Sequence, residues 1–124
     1  MTLPLALVCF ESLLLGNQLI NRLQDLGYRV QTVSDATLLA GKAESEKPLL
    51  LLVDLTVRGD VCGAIRGVKS QPQTRHIPVL VIASARTSPA LQEAARAAGA
   101  DLIAGDRAIL EQLPQLLDQV LQLE

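Results

Sequence analysis

Aromatic side chains are almost missing from this 124-residue sequence, which has one tyrosine, one phenylalanine and no tryptophan. Stacking platforms for bases or sugar rings therefore cannot be assembled. Positive charge is also thin. Eleven Lys and Arg against thirteen Asp and Glu leave a formal charge of −2, with no basic run. That argues against direct nucleic-acid binding. No apolar stretch reaches the roughly 18 residues a membrane span needs. The start, Met1-Thr2-Leu3-Pro4, lacks the positive region of a secretory signal. Cys9 and Cys62 are the only cysteines. They read as reduced thiols of a cytoplasmic chain, not as a disulfide framework. A Cys9–Cys62 redox pair or soft-metal site would need a third ligand, and none is evident; both read better as small buried hydrophobes. The single histidine, His76, sits in a polar stretch with no triad spacing around it. No glycine-rich phosphate loop follows the first apolar run, where Cys9-Phe10-Glu11-Ser12 stands instead.

What is present is apolar residue, at 49% of the chain and a mean hydropathy of +0.32. This suits one domain over residues 1–124 with a sheet covered on both faces. Unbroken apolar runs predict strands over Leu3–Cys9, Leu49–Asp54 and Pro78–Ala83, with shorter ones over Tyr28–Val33 and Asp101–Ala104. Helical spacing of Leu15, Leu19, Ile20, Leu23 and Leu26 predicts a helix over Leu13–Leu26, ended by Gly27. Weaker helices are predicted over Ala36–Ala43, capped by Ser34 or Asp35, and over Val61–Ser70. Glu44–Lys47 reads as a charged loop. Ser88-Pro89 opens another helix that runs to Ala98. Asp106 can cap a last helix reaching Leu123, with a kink or late start at Pro114. Strand and helix alternate five times along the chain. Right-handed crossovers then favour a parallel sheet with helices on both faces.

The densest run, Leu49-Leu50-Leu51-Leu52-Val53, ends in a lone carboxylate, Asp54. A strand buried on both faces delivers its last residue to the carboxyl edge of the sheet, where open α/β folds place their sites.

Three segments, in order, carry a resemblance to the receiver domains of bacterial two-component response regulators. They are Val53-Asp54-Leu55, His76-Ile77-Pro78-Val79-Leu80-Val81-Ile82 and Ala97-Ala98-Gly99-Ala100-Asp101. The resemblance implies a flavodoxin-like (βα)5 three-layer sandwich with sheet order 2-1-3-4-5 and Asp54 at the phosphoacceptor position. In that family two carboxylates after the first strand help hold magnesium, a lysine pairs with the phosphoryl group, and a hydroxyl after the fourth strand reports on it.

This sequence departs from the pattern at each helper. The metal-acid positions fall on Cys9 and Phe10, with Glu11 the only carboxylate nearby. The lysine position falls on Asp106, followed by Arg107, and Arg58 replaces the usual proline of the loop after Asp54. The hydroxyl position falls on Ala83 or, with a one-residue gap, on Ser84. A phosphoryl group at Asp54 would then face Asp106 without a lysine between them. Like charges about 4 Å apart repel by several kcal/mol at an effective dielectric near 20. Arg58 or Arg107 can restore charge but not a metal.

The expectation is a degenerate receiver, not an enzyme, with no metal or other cofactor. It would act by contact with a histidine kinase, another receiver or itself. Two rivals remain open. One is a conventional regulator phosphorylated on Asp54 with magnesium; the other is a small flavodoxin-like enzyme or ligand-binding module. The last helix carries more leucine than one core stripe requires, so Leu110, Leu113, Leu117 and Leu121 form a candidate contact or homodimer face.

Overall fold

The computed structural model describes residues 4–11, 13–56, 59–84 and 87–121. The strands are β1 (Leu5–Cys9), β2 (Arg29–Val33), β3 (Leu50–Asp54), β4 (Val79–Ala83) and β5 (Leu102–Gly105). The helices are α1 (Leu13–Asp25), α2 (Leu39–Glu46), α3 (Val61–Ser70), α4 (Pro89–Ala98), α5 (Asp106–Glu111) and α6 (Leu113–Leu121), with a 3-10 turn over Ala36–Leu38. All pairings are parallel, and the order is β2-β1-β3-β4-β5, as the resemblance implies.

Alternation along the central strands splits the core into two layers. Leu7, Cys9, Leu51, Val53, Val79 and Val81 meet residues of α2, α3 and α4, including Leu39, Ile65, Val68 and Ala95. Ala6, Val8, Leu50, Leu52, Leu80 and Ile82 meet α1, α5 and α6 through Leu19, Leu23, Ile109, Leu113 and Leu117. Every residue of β1, β3 and β4 is buried. This is why these strands read as continuous apolar runs and β2, at the sheet edge, does not.

Two expectations change at the helix ends, and the break expected at Pro114 is found. The segment Glu44–Lys47 is not a loop: α2 continues through Glu46, because Lys42, Ala43, Glu44 and Glu46 are good helix formers. Lys47 closes it in the left-handed region at φ 50°, donating its N–H to the Ala43 carbonyl. Asp106 is not the cap of the last helix; Gly105 occupies that position, and the Asp106 carboxylate accepts from the Arg107 N–H. At Pro114 the helix breaks, with Gln112 between α5 and α6 and the proline in the first turn of α6. A proline ring is accommodated there because first-turn N–H groups have no helical partner.

The proposed face on the last helix is corrected as well. Leu113 and Leu117 are 0% and 4% exposed and belong to the core. Leu110 packs against that core, and Leu121 is half-buried. The short α5 and α6 share the cover of this side with α1, and the extra leucines take part in it.

Candidate functional site

Asp54 ends β3 beside Ile82 of β4 and is 3% exposed. Its Oδ1 accepts from both the backbone N–H and the hydroxyl of Thr56, each at 2.9 Å. This is a side-chain turn in which an aspartate is satisfied two residues on. Asp35 does the same with Thr37 at the end of β2, at 2.9 and 2.8 Å. Thr56 was not singled out from the sequence. The shared Asp-x-Thr spacing is the signal that could have identified it.

Asp54 lies at a cleft of about 670 Å³ between α1 and α5. Thr56 and Ser84 line it, with Asp106, Arg107 and Glu111 from α5 and Leu14, Leu15, Gln18 and Arg22 from α1. Ser84, not Ala83, therefore reaches the cleft; Ala83 is buried and paired with Gly105. The backbone N–H of Ser84 donates to Thr87 Oγ1 at 3.1 Å. Asp106 sits where the charge reversal puts it. Positive charge is less scarce than the sequence suggested, since Arg22 and Arg107 line the same cleft. Arg58 lies outside the described residues.

The positions expected from the resemblance to hold metal acids, Cys9 and Phe10, offer none. Cys9 is fully buried next to Val53. Burial, then the carboxylates of Asp35 and Asp54, push its thiol from an ordinary 9.0 up to about 12. It stays protonated and offers no thiolate for metal or redox work. Phe10 is buried, and its ring lies over Gly16 of α1 so closely that a methyl group there would run into it. Glu11 is exposed and does not line the cleft. Cys62 is buried in the first turn of α3, in the same core layer as Cys9, and both are free thiols. His76 is exposed.

A divalent ion such as magnesium needs several hard oxygen ligands. The residues here do not fit one: Asp54 has one oxygen already engaged, Cys9 is a protonated thiol and Phe10 has no ligand atom. Among the described residues no cluster of three His, Cys, Asp or Glu side chains could hold a metal.

The Cys9 shift predicts a pH dependence. Folding keeps a proton that the unfolded chain releases near 9.0, so the unfolded state binds fewer protons above that pH. This contribution is complete below 9.0 and is lost as the pH rises towards about 12. A urea midpoint that falls through this window in the native chain, and less steeply in Cys9→Ala, is the expected result.

No protein-family model matches the sequence, and no curated protein matches it. Solved structures do. The receiver domain of the sensor histidine kinase PA1611 from Pseudomonas aeruginosa PAO1 aligns with a TM-score of 0.86 at 20% identity, over 98% of this chain and 99% of that one. That structure has a magnesium ion coordinated in its active-site cleft. The chemotaxis protein CheY4 of Vibrio cholerae aligns at 0.82 and 23% identity, over 96% and 99% of the two chains. The signal receiver domain of a modulated diguanylate cyclase from Desulfovibrio desulfuricans G20 aligns at 0.83 and 18%, over 98% and 95%. At such identities the likeness is one of fold: this chain has the receiver fold. No helix among the described residues is long and apolar enough to cross a membrane.

Proposed function

We propose that this chain is a receiver-like signalling domain of a two-component phosphorelay that acts by protein–protein contact, with phosphorylation of Asp54 impaired. One observation carries the reading. The acid at the end of the central strand is kept, while Cys9 and Phe10 stand where its metal ligands would be, one a buried neutral thiol and the other a ring packed on α1. Phosphoryl transfer depends on positioning and charge stabilisation, so a site lacking metal ligands and lysine is slow. The partner is then another protein: a histidine kinase, a second receiver or a second copy of this chain.

A conventional acceptor role for Asp54 is the second reading, favoured by Ser84 and Arg107 on the same cleft. Arginine binds phosphate oxygens well but does not replace a divalent ion. Incubation with acetyl phosphate and magnesium, followed by intact mass, separates the two. The expected spectrum is that of the unmodified chain. A phosphoryl adduct that disappears in Asp54→Asn would establish the second reading.

A further inference from the structure

The floor of the α1–α5 cleft holds a carboxylate to which no cation among the described residues is bonded. Asp54 is 3% exposed, both Thr56 donors go to its Oδ1, and its Oδ2 has no partner among the described residues. The ion pairs among the described residues involve neither Asp54 nor the two arginines of the cleft. Asp54 lines the cleft, so the oxygen that Thr56 leaves open there can receive a cation's N–H donors. Arg22, Arg107, Asp106 and Glu111 are exposed, so solvent screens them. Asp54 alone acts through the low-dielectric floor. Leu14, Leu15 and Leu110 line the cleft above it, and Leu14 is 74% exposed.

We propose that this cleft binds a primary alkylammonium group, its head on Asp54 Oδ2 and its aliphatic stem against Leu14, Leu15 and Leu110. The inference rests on the reading that Asp54 carries neither phosphate nor metal. A guanidinium suits the site less well, because its fork takes both oxygens of a carboxylate and Thr56 already holds one. An ammonium is a compact point charge that one open oxygen can receive. Two sources share this chemistry: a free small amine, and a lysine side chain presented by a partner chain.

Titration of the whole chain with n-butylammonium chloride, followed by amide NMR, tests it. The expected result is saturable shifts at Leu15, Thr56, Ser84 and Leu110 that 1-butanol does not produce. Affinity falls about tenfold, or 1.4 kcal/mol, in Asp54→Asn. That variant keeps an Oδ1 acceptor for Thr56, so the fold is retained. Asp106→Asn, at an exposed position, weakens binding less. N-acetyl-lysine N-methylamide binding as tightly as butylammonium identifies a partner's lysine as the source; weaker binding identifies a free amine. Equal responses to butanol and butylammonium, or unchanged affinity in Asp54→Asn, overturn the proposal. A phosphoryl adduct in the acetyl phosphate experiment sinks the proposed function. No adduct and no butylammonium response sinks this inference alone.

Discussion

Leu117→Glu will unfold the domain and will not expose a role in self-association. Leu117 is 4% exposed among the residues of the α1, α5 and α6 core layer. Shortening it to alanine is expected to cost about 2–4 kcal/mol, the range for a buried leucine that leaves a partly collapsed cavity. Glutamate places a charge among apolar side chains, and the charge must either stay buried at high cost or pull α6 off the sheet. Both outcomes consume most of the roughly 5–15 kcal/mol that holds a small domain together. Loss of a cooperative urea transition in Leu117→Glu, beside a shifted but intact transition in Leu117→Ala, is the expected pair of results. Leu14→Glu, on a side chain 74% exposed, should stay within about 0.5 kcal/mol of the native chain. A folded Leu117→Glu protein with an altered solution mass would restore the last helix as a contact face.

Asp101→Ala is expected to destabilise the opposite edge of the sheet by about 2–4 kcal/mol, as removal of one partner from a half-buried charge pair does. The Asp101 Oδ2 accepts from Lys69 Nζ and from the Val79 N–H that opens β4, both at 2.8 Å. Lys69 Nζ also donates to the Ile77 carbonyl at 2.8 Å. Its side chain passes over Gly99, whose φ of +121° suits glycine and where a Cβ would lie 2.7 Å from Lys69 Cγ. One lysine thus joins the end of α3, the entry to β4 and the α4–β5 turn. Alanine leaves the Val79 N–H without an acceptor and the ammonium without its counter-charge. Asp101→Asn restores the acceptor and should lose about half as much. Urea midpoints with unchanged slopes measure both losses. A midpoint in Asp101→Ala equal to that of the native chain would show that the bridge contributes nothing.

The same cluster explains which parts of the sequence were readable. His76-Ile77-Pro78 and Gly99-Ala100-Asp101, which carried the family resemblance, belong to the latch around Lys69 at the end of the sheet away from Asp54. They are motifs of the fold: their hydrogen bonds tie the α4–β5 turn to the start of β4. At the site, counting along the sequence could place Cys9, Phe10 and Asp106 near the carboxyl edge of the sheet. Their consequences could not be read in that way. That Phe10 lies over Gly16, that Arg22 of α1 shares a cleft with Arg107 of α5, and that Ser84 rather than Ala83 reaches it are contacts between elements far apart in sequence.

Periodicity and punctuation along the chain determined the strands, most helices and the place of Asp54 at the carboxyl edge, because these follow from local spacing of apolar residues and from the backbone limits of glycine and proline. Which leucines of the last helix face the core, where α2 ends and what surrounds Asp54 were decided by the tertiary structure. A helix with apolar residues on more than one side does not say which side is covered. Only the sheet beneath α5 and α6 selects Leu113 and Leu117 for burial, and only the approach of α1 to α5 encloses the cleft above Asp54.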